Sequence, residues 1–172
     1  TGVGEVVMPP FASGEDVLSA LPGREGSQPP RAALQDSSLR RIYALAERLL
    51  AGSATPYDYV RRVQQRVMAG ASYSERPTIH DNPLDAFLFD DRLGYCQHFS
   101  GAMALLLRLG GVPARVAVGF TPGVTDAGRN RWVVRDYDAH SWVEAYFPGY
   151  GWVTFDPTPA GTPARQQATD EL

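Results

Sequence analysis

The stretch His140-Ser141-Trp142-Val143-Glu144-Ala145-Tyr146-Phe147-Pro148-Gly149-Tyr150-Gly151-Trp152-Val153-Thr154-Phe155-Asp156 alternates on both sides of a Pro-Gly turn. Val143, Ala145, Phe147, Val153 and Phe155 all carry odd numbers, whereas His140, Trp142, Glu144, Tyr146, Trp152, Thr154 and Asp156 carry even ones. This is the pattern of a hairpin with one apolar face and one polar, aromatic face. A slip of one residue would turn the apolar set to solvent, so odd residues must lie opposite odd ones. A three-residue loop, 148–150, achieves this by pairing Phe147 with Gly151. Asp156 then falls opposite Trp142, and His140 becomes its diagonal neighbour on the same face. Diagonal neighbours lie roughly 7–8 Å apart, within reach of long side chains. Taken alone, such a His and Asp are either two residues of a solvated face or a working pair.

Two more alternating segments precede the hairpin, Ala114–Thr121 and Arg131–Asp136, and the short loops between them favour antiparallel pairing. Upstream of Pro113 the period is helical. Phe99, Met103, Leu106 and Leu107 mark a helix over Cys96–Leu109, preceded by the turn Gly94-Tyr95 and stopped by Gly110-Gly111. Thr55, Pro56 and Asp58 open another, with Tyr59, Val60, Val63 and Val67 as its inner face and Gly70 at its end. Leu39, Ile42, Leu45, Leu49 and Leu50 form the stripe of a third, capped by Asp36 or Ser37 and closed by Gly52. Asp85–Phe89 reads as a helical turn. Helices followed by strands indicate an α+β domain. We place it at residues 36–160. Residues 1–35, with Pro9, Pro10, Pro22, Pro29 and Pro30, read as an extended arm or linker in which only Asp16–Leu21 suits a helical turn; residues 161–172 read as a tail.

Composition limits the function. The 172 residues carry a net charge of −3, which disfavours nucleic acid as a partner. All 16 basic residues are Arg; the chain has no Lys. No apolar run approaches the roughly 18–20 residues of a membrane span. The chain begins at Thr1 without an initiator Met or signal peptide, and reads as a piece of a longer protein. One Cys allows neither an internal disulfide nor a multi-thiolate zinc site, and Cys96, His98 and His140 lack metal-ligand spacing, so no metal or cofactor is expected.

Cys96 is therefore either a buried small hydrophobe or a reactive thiol. Its place at a helix start favours the thiol reading. Free amides and the helix dipole there stabilise a thiolate, and the same amides suit an oxyanion. Of three histidines, His80 lies in a Pro-rich loop. His98 is about 200° round the helix from Cys96, too far for its ring to reach the sulfur. His140, with Asp156 beside it, would complete a nucleophile, base and orienting acid. Tyr95, Trp132, Trp142, Tyr146 and Trp152 either line a cleft or pack on the sheet.

Gly94-Tyr95-Cys96-Gln97-His98-Phe99, Gly111-Val112-Pro113-Ala114-Arg115-Val116, Asp138-Ala139-His140-Ser141-Trp142-Val143-Glu144 and Gly151-Trp152-Val153-Thr154-Phe155-Asp156-Pro157-Thr158-Pro159, in that order, resemble the core of transglutaminase-like proteins. The likeness runs from about Pro56 to Pro159, with a weaker echo at residues 38–51. It is nearest to the bacterial branch in which this core is an extracytoplasmic domain of a multi-spanning membrane protein. The resemblance implies a papain-like fold, with the nucleophile helix packed on an antiparallel sheet of about four or more strands. It implies Cys96 as nucleophile, His140 as general base and acid, and Asp156 as the residue orienting His140. Tyr95, Gln97, His98 and Trp142 would line the substrate cleft. The activity implied is thiol-dependent acyl transfer on a protein or peptide carboxamide, resolved by amine or water. The rivals are a cysteine peptidase or cell-wall amidase and a non-catalytic peptide-binding envelope domain. By the same resemblance the full-length protein would be membrane-anchored, with this domain on the extracytoplasmic face of the bacterial membrane. Two departures stand out. Relatives often carry Glu where this chain has Gln97. The upstream Trp that donates to the oxyanion in animal transglutaminases is missing, since the first Trp here is Trp132, so the resemblance names no second oxyanion donor.

Overall fold

A computed structural model describes residue 34 and residues 37–159; the expectations for the arm up to residue 33, for Asp36 and for the tail lie outside them. Helix α1 (Arg40–Ala51) buries Ile42, Tyr43, Leu45 and Ala46. Its N-cap is Leu39, which makes no side-chain cap. Ser37, expected to cap, is instead held in a turn: its hydroxyl donates to the Leu34 carbonyl at 2.8 Å and accepts from the Leu39 N–H at 3.1 Å. Leu34, which the sequence assigns to the arm, is itself buried. Helix α2 (Pro56–Met68) starts as its sequence predicts, with the Thr55 hydroxyl accepting from the Asp58 N–H at 3.1 Å, and buries the expected Tyr59, Val60, Val63 and Val67.

A two-residue strand β1 (Ser72–Tyr73) and helix α3 (Pro83–Phe89) follow, then strand β2 (Leu93–Gly94), which runs parallel to β1 with Tyr73 opposite Gly94. Arg92, at φ 57°, stands just before β2. Its guanidinium donates to the carbonyls of Arg66, Val67 and Ala69 at the end of α2 and of Phe87 and Leu88 at the end of α3. These are helix-terminal acceptors with no partner inside their own helices.

Helix α4 (Cys96–Leu109) has the bounds that its apolar period predicts. Among the described residues it touches helices α1, α2 and α3 as well as the sheet. Phe99, Ala102, Met103, Leu106 and Leu107 are fully buried. The Tyr59 hydroxyl donates to the Leu106 carbonyl at 2.6 Å, tying α2 to α4 inside the core. At the other end, a Cβ on Gly94 would lie 2.6 Å from the His98 Cβ and 3.1 Å from the Phe87 ring. We therefore expect Gly94→Ala to cost about 1–3 kcal/mol through overpacking, measurable by chemical denaturation; a neutral result would mean that the turn can widen freely.

The main sheet is three-stranded, in the order β3 (Ala114–Phe120), β6 (Ala139–Phe147), β7 (Gly151–Phe155), and antiparallel throughout. The hairpin register is the one that the alternation requires: Phe147 faces Gly151 and Val143 faces Phe155. Val143, Ala145, Phe147 and Phe155 are buried in the core. On the other face Arg115 bonds Glu144 at 2.6 Å and lies 4.2 Å over the Trp152 ring, which packs edge-on against Tyr146. Those aromatics are sheet packing.

The segment Arg131–Asp136 departs from its expected place. Only Arg131–Val133 forms a strand, β5, and it pairs with β4 (Val124–Asp126) in a separate two-stranded ribbon. The buried Asp138 carboxylate accepts the Arg135 N–H at 2.6 Å and folds Asp136–Asp138 into a 3-10 turn, ending the strand early. Gly123, at φ 69°, closes the ribbon where any Cβ would strike the Val133 carbonyl.

Candidate active site

Cys96 is the first residue of α4, half-buried at the point where the helix start meets β6. Tyr95 supplies the extended N-cap, and its N–H points to His98 Nδ1 at 3.4 Å, while the Tyr95 carbonyl accepts from the His98 N–H at 2.8 Å. The His98 ring packs between Tyr95 and Phe87, at 4.6 Å and 5.9 Å between centroids. Burial lowers its pKa against the opposing Asp91 charge, which suits a neutral acceptor for the cap. His98 and Tyr95 thus close the helix start, and Gln97 projects from it into solvent.

His140 is the second residue of β6 and is buried to 7% exposure. Its Nε2 lies 2.9 Å from Asp156 Oδ2, so the ring donates there and leaves Nδ1 for the other side. On that other side is Cys96: His140 draws the thiol's pKa down, and Cys96 in turn helps to hold the imidazole's pKa up. The diagonal pairing of the hairpin is what brings His140 and Asp156 together, since Asp156 directly follows β7. Asp156 is fixed in turn. Its Oδ1 accepts the Thr158 N–H at 3.0 Å, and its carbonyl accepts from Gln64 Nε2 of α2 at 2.9 Å. Trp142 flanks the His140 ring at 6.4 Å and lies over Gly119, where a Cβ would come within 2.9 Å of the indole.

The electrostatics follow from this arrangement. The Asp156 hydrogen bond, then the Cys96 hydrogen bond, hold the His140 pKa up, at about 9, against burial. For Cys96 burial pushes the pKa up, but hydrogen bonds from His140 and from the Ser141 side chain and backbone, with the His140 charge, outweigh it and the net shift is downward. Near neutral pH these shifts together favour a thiolate–imidazolium pair.

Three contributors escape a reading of the sequence. Ser141 belongs to the apolar, odd-numbered set by parity, yet it is a buried hydroxyl that lies 2.9 Å from that of Ser100, one turn along α4 from Cys96. Gln64 lies 92 residues from the backbone it holds. Tyr73, opposite Gly94, has its pKa raised by burial and then by the charges of Cys96 and Glu75. The i,i+4 spacing of Cys96 and Ser100 was the one available signal. Among the described residues, no cluster of three or more His, Cys, Asp or Glu is arranged to hold a metal ion.

The family model of the transglutaminase-like superfamily core matches residues 43–157, a span that contains Cys96, His140 and Asp156. The chain belongs to the transglutaminase-like superfamily. This transglutaminase-like domain is 40% identical over 147 residues, 80% of its length, to YebA of Bacillus subtilis (strain 168), an uncharacterized protein of which it covers 20%. It is 38% identical over 149 residues, 83% of its length, to a protein-glutamine gamma-glutamyltransferase of Pseudomonas aeruginosa, of which it covers 22%. It therefore spans about a fifth of the length of these curated relatives. Among solved structures, the periplasmic domain of TgpA from Pseudomonas aeruginosa superposes with a TM-score of 0.67 at 37% identity, covering 76% of this chain and 44% of that one. The ethylmercury-bound form of that domain gives 0.70 at 37% identity, covering 81% and 49%.

Proposed function

We propose that this domain is a thiol-dependent acyltransferase acting on protein or peptide carboxamides. The observation that carries the reading is the His140 Nε2–Asp156 bond at 2.9 Å, with a Cys96 thiol at the start of α4 whose pKa His140 lowers. In the first half-reaction the Cys96 thiolate adds to the carboxamide carbon. The C–N bond then breaks as His140 passes its proton to the leaving nitrogen, giving a thioester and ammonia or an amine. In the second, neutral His140 takes a proton from a primary amine or from water as it attacks the thioester, and the C–S bond breaks to return the thiolate. The Cys96 N–H, among the orphan amides of the α4 start, is placed to donate to the oxyanion. The domain needs no cofactor in this scheme. Membership of the superfamily and likeness to a protein-glutamine gamma-glutamyltransferase support the reading. Likeness to a periplasmic domain supports an extracytoplasmic site of action, with the membrane anchor elsewhere in the full-length protein, since no helix among the described residues is long and apolar enough to cross a membrane.

The test is mass spectrometry of a glutamine-containing peptide incubated with the protein, with and without a primary amine. A transamidase gives substituted amide when amine is added and free acid without it. Because the chain has no Lys, it offers no side-chain amine of its own to compete. Free acid at all amine concentrations would identify a hydrolase of the peptidase or amidase kind. Binding without turnover, unchanged in Cys96→Ala, would overturn the enzymatic reading in favour of a peptide-binding module.

A further inference from the structure

Ser100 and Ser141 are both sealed from solvent, at 0% and 1% exposure, on the two elements that carry Cys96 and His140. Their hydroxyl oxygens are 2.9 Å apart, and either can be the donor. Each hydroxyl has one proton and two lone pairs. The bond between them uses one proton, and the second must go elsewhere, because an unpaired buried hydroxyl is costly. Two arrangements satisfy this. If Ser141 donates to Ser100, the Ser100 proton turns to the Gln97 carbonyl, a long contact of 3.5 Å. If Ser100 donates to Ser141, the Ser141 proton is released for Cys96, whose thiolate Ser141 favours.

We propose that the Ser100–Ser141 pair is a two-position hydroxyl relay that donates a hydrogen bond to Cys96 while the sulfur is charged and withdraws it when the sulfur is acylated. The choice between positions follows from the acceptor. A thiolate is a strong acceptor, stronger than a carbonyl at 3.5 Å, so it draws the Ser141 proton. A thioester sulfur is a poor one, so on acylation the Ser141 proton turns back to Ser100 and the Ser100 proton to Gln97. Both hydroxyls stay paired in both states, so burial of the pair is compatible with turnover. Ser141 then acts as a catalytic residue that touches the nucleophilic atom. Ser100 is a positioning residue that acts through it. The inference rests on Cys96 being the nucleophile, as proposed above.

The experiment is the pH dependence of iodoacetamide alkylation of Cys96 in the wild type, Ser141→Ala, Ser100→Ala and the double variant, each checked for folding by circular dichroism. Loss of a hydrogen bond to a charged acceptor should move the acid limb of the Ser141→Ala profile upward and slow alkylation at pH 6 by about tenfold. Ser100→Ala should shift it the same way by less, because Ser141 keeps its proton but loses the donor that orients it. A pair that only fills the core would lower the melting temperature in the single variants, recover in the double, and leave every acid limb where the wild type has it. That outcome would overturn the relay. Should Ser141→Ala fail to fold, an unshifted limb in Ser100→Ala overturns it equally. A wild-type thiol that is inert until unfolding is a different failure, that of the nucleophile assignment itself.

Discussion

Replacing His140 with Ala should slow alkylation of Cys96 by about tenfold or more at pH 6.5 and should lower turnover in the proposed reaction by about ten-thousandfold. The two numbers differ because the imidazole does two things. For alkylation it only supplies charge. Without it the burial of Cys96 works unopposed by the His140 bond and charge, and the thiol moves back up. A thiol near the ordinary value of about 8.5 is about 1% ionised at pH 6.5, a loss partly offset by the greater nucleophilicity of a more basic sulfur. In the proposed reaction His140 would also protonate the leaving nitrogen and deprotonate the incoming group, so its loss should cost turnover more than alkylation. The pH sign follows. Protonation of the thiolate–imidazolium pair sets the acid limb of the wild-type profile. Loss of the imidazolium proton, at about 9, sets the alkaline limb, so activity falls as pH rises through that value. Alkylation with the same rate and pH profile in both proteins would remove His140 from the site.

Asp156→Asn should cost the proposed turnover roughly a hundredfold while leaving the fold in place. The reason lies in what Asp156 holds. Its two oxygens accept from His140 Nε2–H and from the Thr158 N–H. An asparagine has one oxygen. If that oxygen stays with Thr158, its NH2 group meets Nε2, which must then become the acceptor, and the ring proton moves to Nδ1, on the side of the sulfur. A neutral ring so arranged cannot take a proton from Cys96. Loss of the carboxylate also removes the largest support for the imidazolium, so the alkaline limb moves to lower pH. Asp138→Asn is the control. Its carboxylate accepts a backbone N–H from Arg135, a bond that an amide oxygen can still accept, so turnover should change by no more than a few-fold and stability by about 1 kcal/mol. Were Asp138→Asn to abolish turnover while Asp156→Asn did not, the orienting acid would be Asp138.

These residues also mark how far the sequence could be read. The hairpin was legible because one physical requirement, keeping Val143, Ala145, Phe147, Val153 and Phe155 on one face, fixes the register and thereby the diagonal neighbours His140 and Asp156. The start of α4 was legible because Gly94-Tyr95 precedes an apolar helical period, and the structure explains the glycine by its contact with His98. What was not legible depends on contacts between distant elements. Gln64 bonds a backbone carbonyl 92 residues away, and nothing in its own helix pattern distinguishes it from any exposed glutamine. Ser141 sits on the apolar face by parity, and only the arrival of α4 explains a hydroxyl there. The alternation of Arg131–Asp136 points to a sheet strand but is cut to Arg131–Val133 by the turn that the buried Asp138 holds, and its partner Val124–Asp126 is too short to show in the sequence.

Arg92 gives the site a mechanical property that none of its reacting groups possesses. The ends of α2 and α3 both present unpaired carbonyls, and so both bring partial negative charge, to one place. One guanidinium, with five donors in a fixed fork, serves both; the single ammonium of a lysine would satisfy fewer of them. Fraying of either helix therefore withdraws support from the other, four residues before Cys96. The loop that aims the thiol has become part of a cooperative unit two helices wide, so its rigidity is drawn from the body of the domain although its own strand is only two residues long.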